Sequence, residues 1–231
     1  MIPANPRPVR IKAAIFDIDG TLVDSVDIHA EVWQRALAEF GKTTRFEDVR
    51  RQIGKGADTL LPEFLTPDEL KRFGKELAEK RAELFKREYV DRVRPFPKVP
   101  DLFRRMRHEA IRITLASSGK ADEVAHYKRV CGIDELVDTE TSADEAEKSK
   151  PHPDIFEAAL GKLEGVSADE ALVVGDSPYD AEAAAKSGLR TVALLCGGFP
   201  EQDLRAASAI AIYESCADLL ERFNSSPFVT A

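Results

Sequence analysis

The sequence predicts an α/β chain: a Rossmann-like parallel sheet flanked by helices, with an all-helical segment inserted after the first strand. Three observations predict it. Ala13-Ala14-Ile15-Phe16 is a short apolar run that ends abruptly in charge, as a strand buried in a parallel sheet does. From residue 99 onward, strand-like and helix-like runs alternate. Between Asp24 and Arg94 the periodic segments have helical spacing and no strand signal occurs.

Residues 1 to 10, MIPANPRPVR, read as a proline-rich, loosely ordered lead-in. After the first strand, apolar residues recur at Val26, Ala30, Trp33, Leu37 and Phe40, close to helical spacing. Asp24 or Ser25 is the expected N-cap of this helix and Gly41 its stop. Further helices are expected at about 46–53 and 57–64, then a long one at about 67–93, dense in Lys, Glu and Arg. Thr66-Pro67-Asp68-Glu69 supplies the last one's cap and first turn. Arg94-Pro95-Phe96-Pro97 closes this section.

The alternating part then predicts a helix at 99–108, a strand at 111–116, and a helix at 121–130 that stops at Gly132. A short strand at 135–138 and a helix at 154–163 follow. Next come a buried strand at 171–175, a helix at 178–187, strands at 190–195 and 209–213, and a closing helix at 216–223. The expected division is a sheet core formed by residues 1–23 and 96–231 and a helical insert spanning 24–95.

The length of 231 residues allows one large domain, or a domain with an insert. Hydrophobic residues at 43% can build a core, and charged residues at 32% suit a soluble surface. A net charge of -8 argues against a general nucleic-acid binder, because phosphate backbones attract a basic face. Cys131, Cys196 and Cys216 are odd in number and widely spaced, so they form no disulfide framework, and no CxxC pattern occurs. No apolar run approaches the length of a membrane span, and the N-terminus lacks the apolar region of a signal peptide. A cytoplasmic protein is the simplest expectation. The charged segment from Pro67 suits a free surface or a partner, so a monomer and a homodimer both stand.

Four stretches carry chemistry. Asp17 and Asp19 end the first strand, and Gly20-Thr21 lets the chain turn. Two acids at that spacing can converge on one small site, and ligands of open α/β sheets bind at the strands' carboxyl ends. A lone Asp-x-Asp is also an ordinary polar turn. The second stretch, Ser117-Ser118-Gly119, follows a strand and precedes a helix, where hydroxyls and backbone N–H groups can hold phosphate oxygens. Third, Lys150 stands before Pro151-His152-Pro153, and flanking prolines hold a lysine in place to neutralise a phosphate. Fourth, Gly175-Asp176 ends another apolar strand, with Asp180 four residues on. Asp176 can meet Asp17 around a hard cation such as Mg²⁺, while Asp180 either joins them or biases the helix that follows.

These stretches, Asp17-Ile18-Asp19-Gly20-Thr21, Ser117, Lys150-Pro151 and Gly175-Asp176-x-x-x-Asp180, stand in the order and context of the haloacid dehalogenase-like hydrolases, which the chain resembles over almost its whole length. The subgroup resembled contains phosphoglycolate phosphatases, small sugar phosphatases and β-phosphoglucomutase, and residues 24–95 look like that family's helical cap. The resemblance implies a Mg²⁺-dependent phosphatase of small phosphorylated metabolites. Asp17 would attack phosphorus to form an aspartyl-phosphate, and Asp19 would serve as acid and then base. The ion would be held by the Asp17 carboxylate, the Asp19 backbone carbonyl and Asp176, with Asp180 acting through a water. Ser117, Ser118 and Lys150 would bind the transferring phosphate.

The presence of Asp19 argues against a dehalogenase, which has no ester oxygen to protonate. A phosphomutase is the alternative: His29 and Trp33 match a similar pair in β-phosphoglucomutase, but Ala57 stands where a mutase's cap arginine would be expected. A non-catalytic binding module is disfavoured because every expected catalytic position is kept. In the cap, Lys55 and His29 are the candidates for setting substrate preference, and the sequence does not name that substrate.

Overall fold

The computed structural model describes residues 9–230, so most of the lead-in expected at residues 1 to 10 lies outside the described residues. The fold class is the predicted one, a parallel α/β sheet with helices. Strand β1 (Ala13–Phe16) leads into β2 (Val23–Asp24), and the helices α1 (Val26–Glu39), α2 (Phe46–Arg50), α3 (Ala57–Leu60), α4 (Pro67–Glu69) and α5 (Lys75–Glu88) follow. Strand β3 (Arg94–Pro95) pairs antiparallel with β2, so a two-stranded ribbon carries the chain into and out of the helical segment. The sequence reading missed this ribbon, because two-residue strands carry no periodicity.

The alternating part contains α6 (Val99–His108), β4 (Arg112–Ala116), α7 (Ala121–Cys131), β5 (Thr139–Thr141), α8 (Asp154–Gly161) and β6 (Ala171–Gly175). It continues through α9 (Pro178–Lys186), β7 (Arg190–Leu194), α10 (Glu201–Ala206), β8 (Ala211–Tyr213), α11 (Cys216–Glu221) and α12 (Pro227–Thr230). The sheet has six strands in the order β5-β4-β1-β6-β7-β8, and all its pairs are parallel. Because β1 lies between β4 and β6, the loops leaving these three strands emerge side by side at the carboxyl edge.

The central strands are apolar on both faces, and the structure shows why. Ala14 and Phe16 of β1, with Leu172 and Val174 of β6, pack into one core. Ala13 and Ile15, with Ala171 and Val173, pack into another on the opposite face. Successive side chains point to opposite faces of a strand, so each strand feeds two cores. Burying one aliphatic or aromatic side chain of this kind contributes about 2 kcal/mol.

The helical segment has a core of its own, built around Trp33, Leu37, Leu60 and Leu77. The long helix expected at about 67–93 runs from Pro67 to Glu88, with a wide π turn at Leu70–Gly74 joining α4 to α5. Gly74 breaks the row of good helix formers there. Its start is as predicted, with Thr66 and Glu69 forming a reciprocal capping box. The strand expected at 135–138 is displaced: Asp134–Leu136 form a 3₁₀ turn and the strand lies at Thr139–Thr141. Apolar Leu136-Val137 suggested the earlier register, but pairing with β4 begins only at Thr114 opposite Thr139.

The insert touches the sheet's carboxyl edge directly. Arg50 donates to the Gly197 carbonyl at 3.0 Å, and the Thr59 hydroxyl donates to the Lys150 carbonyl at 2.9 Å. The Tyr179 hydroxyl donates to the Arg51 carbonyl at 2.6 Å.

Candidate active site

Asp17 follows β1 and is held by its backbone N–H, which donates to the Val174 carbonyl of β6 at 2.9 Å. That bond extends the sheet by one residue and aims the carboxylate into the edge shared with β4 and β6. Asp176 leaves β6 beside it. Carboxylate oxygens of Asp17, Asp176 and Asp180 lie within 4.8 Å of one another, and all three residues are buried. The Thr21 hydroxyl donates to Asp176 Oδ1 at 2.9 Å.

A single ammonium among the described residues pairs with two of these acids. Lys150, fully buried, brings Nζ to 2.5 Å from Asp17 Oδ1 and 2.7 Å from Asp180 Oδ1. The first contact is a hydrogen bond; the second is an ion pair outside hydrogen-bond geometry, and Asp180 Oδ1 accepts no hydrogen bond. Asp180 also does what a helix-starting acid does: its Oδ2 accepts from the Ser177 N–H at 3.1 Å and the Ser177 hydroxyl at 2.7 Å, capping α9. The two roles left open for it thus fall on different oxygens.

Electrostatics follow from this crowding. Burial pushes the Asp17 carboxyl up to about 7; Lys150 opposes the shift, while Asp180 and Asp19 add to it. Burial raises Asp176 well above the usual carboxylate range, helped by Asp180 and Asp17. Burial works against the Lys150 ammonium, yet Asp17 and Asp180 outweigh it and keep the group above the usual lysine range. Three buried carboxylates against one ammonium must take up protons or a further cation. The donors are all oxygens, which suits a hard divalent cation such as Mg²⁺ rather than a soft one.

Small residues make room for Asp176. A Cβ on Gly197 would lie 1.7 Å from Asp176 Oδ2, and one on Gly20, whose φ is +81°, would lie 2.4 Å from it. No side chain fits at either position while Asp176 keeps its place.

Asp19 stands apart from the acidic cluster. Its Oδ1 accepts from the Ser25 hydroxyl at 2.6 Å and from His29 Nε2 at 2.8 Å. Of the two expected N-caps, Asp24 and Ser25, Ser25 takes the position, but its hydroxyl makes no cap bond and serves Asp19 instead. On the other side of His29, Arg81 of α5 donates to Nδ1. A guanidinium has donors only, so Nδ1 must be the lone-pair nitrogen and Nε2 must carry the proton. With Nδ1 accepting from Arg81, Nε2 is the nitrogen that donates to Asp19. Burial works against ionising Asp19, but His29, Ser25 and Arg81 outweigh it and hold the carboxyl at about 2.

The remaining predicted residues fall around one cavity of about 400 Å³, lined by Asp17, Asp19 and residues of the insert. The Ser118 hydroxyl is buried there without a partner. Ser117 is buried but does not line the cavity, and its oxygen accepts from the Gly119 N–H at 3.0 Å. Lys55 lines the cavity, but its ammonium is engaged by Gln52 at 2.6 Å and Glu63 at 2.8 Å, above the Tyr179 ring. His29 is 4% exposed and faces Asp19. Sequence reasoning missed Arg81, Thr21, Gly197 and Glu123. Arg81 sits in a run of charged helix residues where nothing local separates it from solvent-facing neighbours.

The description of the haloacid dehalogenase-like hydrolase family matches residues 14–194. A phosphoglycolate phosphatase of Pseudomonas savastanoi pv. phaseolicola is 32% identical over 192 residues, covering 80% of this chain and 70% of that protein. A phosphorylated carbohydrates phosphatase of Thermotoga maritima is 26% identical over 187 residues, covering 79% of this chain and 84% of that one. The crystal structure of a hydrolase from Pseudomonas syringae superposes with a TM-score of 0.84 at 29% identity, covering 93% of this chain and 98% of that chain.

Proposed function

Starting from the fact that this chain belongs to the haloacid dehalogenase-like hydrolases, we propose that it is a Mg²⁺-dependent phosphatase of small phosphorylated metabolites working through an aspartyl-phosphate. The observation that carries this is the clustering of Asp17, Asp176 and Asp180, with Lys150 paired to Asp17 and Asp180, beside a cavity that Asp17 and Asp19 line. In this reading residues 24–95 are the cap that roofs the cavity, and the rest of the chain is the catalytic core. Among the described residues no helix is long and apolar enough to cross a membrane.

Asp17 is the nucleophile: its carboxylate oxygen bonds to phosphorus as the bond to the leaving oxygen breaks. Asp19 gives that oxygen a proton, then takes one from the water that releases the phosphate from Asp17. Ser118, Ser117, the Gly119 backbone and Lys150 bind the phosphate oxygens. Asp17, Asp176, Asp180 and the Asp19 carbonyl would hold Mg²⁺, which supplies positive charge against the repulsion between carboxylate and phosphate. His29 and Ser25 favour the ionised Asp19 that accepts a proton from water. Loading the proton for the first step requires those contacts to yield.

The test is phosphate release from an aryl phosphate with and without Mg²⁺, followed by a screen of metabolite esters. Steady, Mg²⁺-dependent release supports the reading. Isomerisation of a sugar phosphate with little net phosphate would replace it with a mutase.

Three further outcomes are expected. Asp17 has a folded value raised from 3.8 to about 7, so its contribution to metal-free stability is fully present below 3.8 and lost as pH rises through 7. Mg²⁺ should therefore raise the melting temperature more at pH 8 than at pH 5, and an equal rise at both would place the ion elsewhere. Gly197→Ala should remove the Mg²⁺-dependent rise by evicting Asp176 Oδ2 from its place. A wild-type response would take Asp176 out of the metal site. Finally, with a substrate whose aspartyl-phosphate hydrolysis limits turnover, His29→Ala should move the acid limb of kcat to higher pH, because the contacts that hold Asp19 at about 2 are reduced. If that limb does not move, it belongs to another group.

A further inference from the structure

Residues 146–153, which carry Lys150, contain no helix or strand. No ladder of bonds holds such a segment, so its place depends on what its backbone groups bond to. Around the lysine that partner is the insert. The Thr59 hydroxyl donates to the Lys150 carbonyl at 2.9 Å, the Gly56 carbonyl lying farther from it at 3.2 Å. Asp58 Oδ2 accepts from the Ser149 N–H at 3.0 Å. Neither backbone group has another hydrogen-bond partner among the described residues.

Gly56 lets the two segments come this close. Its backbone is extended, with φ -80° and ψ 172°, a conformation any residue adopts, so glycine serves here for room. A Cβ at this position would lie 1.9 Å from Ser149 Oγ and 2.5 Å from Ser149 Cβ. Rotating the serine hydroxyl clears the first contact but not the second, so a side chain at 56 forces the backbones apart. Asp58 also lines the cavity, where an acid works by charge alone against an anionic ligand. Its bond to the lysine segment gives it a use that charge does not.

We propose that Thr59 and Asp58 are positioning residues for Lys150, admitted by Gly56, so that the lysine reaches its phosphate-binding place only while the insert lies against the core. This rests on the phosphatase reading above. Lys150 Nζ has to meet Asp17, Asp180 and a phosphate oxygen together, and a shift of the segment by a fraction of an ångström spoils that alignment. The insert then takes part in catalysis through the backbone of residues 149 and 150, without touching the reacting atoms.

The probe is inorganic phosphate, which has no leaving group and so reports on the core's anion site rather than on substrate contacts with the insert. Its binding to the Mg²⁺-loaded enzyme is read by calorimetry, beside kcat and KM for an aryl phosphate and the melting temperature. Thr59→Val and Asp58→Ala are each expected to weaken phosphate binding roughly 3- to 10-fold, with kcat falling at least as much. Thr59→Ser keeps the hydroxyl and Asp58→Asn keeps an acceptor oxygen, so both should stay within about 2-fold of the wild type. Gly56→Ala should reproduce the loss, and adding Ser149→Gly should recover most of it, because both crowded serine atoms are gone.

Charge alone predicts the opposite sign for Asp58→Ala, a tighter phosphate. A merely structural role would lower the melting temperature and leave phosphate affinity and kcat of the folded protein unchanged. Either result overturns the positioning role while the phosphatase reading stands. So does a loss that Thr59→Ser and Asp58→Asn share in full. If Gly56→Ala does not fold, the Thr59 and Asp58 pairs decide by themselves. A wild type that neither binds phosphate nor releases it from the aryl ester overturns the phosphatase reading, and the positioning role with it.

Discussion

Asp17→Asn is expected to lower steady-state phosphate release by roughly 10⁴-fold or more, with the fold intact. The substitution keeps the shape of the side chain but removes the oxygen charge that bonds to phosphorus. It also removes one of three carboxylates that crowd a single ammonium. The metal-free variant should therefore melt no lower than the wild type at pH 8, where the wild-type Asp17, pushed up to about 7 by burial, is mostly ionised. Both readouts matter together. Activity above about 1% of wild type would move the nucleophile to another residue. Lost activity together with a collapsed melting temperature would mean the side chain is structural instead.

Lys150→Met should be among the most destabilising single substitutions in the chain, by about 3–5 kcal/mol at pH 8. It strips the cation from between Asp17 and Asp180 and leaves their charges buried without a counter-charge. The loss should be smaller at pH 5. Lys150 is raised above 10.5, so its contribution is fully present below that and constant from pH 5 to 9. Across the same window Asp17 passes from protonated to ionised as pH rises through about 7, so the ion pair is complete only at the top. Urea denaturation at the two pH values reads the difference. An equal loss at both would assign the effect to packing of the lysine stem against Phe156, whose ring centroid lies 5.2 Å from Nζ.

The legible parts of the site were those where local pattern and chemistry coincide. Asp17, Asp19 and Asp176 follow apolar strands, and a parallel sheet brings strand ends together whatever the loops do. Lys150 was legible through its flanking prolines. Ser25 was legible as a helix cap, but its hydroxyl turns to Asp19 instead. Arg81 and Glu123 were not legible, because each lies in a helix whose other charged residues face solvent. Nothing within a few residues marks a cavity-facing charge. Lys55 was legible as a glycine-flanked lysine, whereas its engagement by Gln52 and Glu63 depends on how the insert folds back on itself.

The order of residues by itself determined the α/β class, the helical stretch between Asp24 and Arg94, and the acids delivered to the sheet's edge. These follow from the periods of strand and helix and from the turn-forming residues between them. Tertiary structure alone decided which charges neutralise each other and which do not. Lys150 was placed between two acids 133 and 30 positions away in the chain, Arg81 was set against Nδ1 of His29, and Glu123 was left without an ion pair or side-chain hydrogen bond among the described residues. Coulomb energy and desolvation depend on separation and burial in space, and neither is written in spacing along the chain.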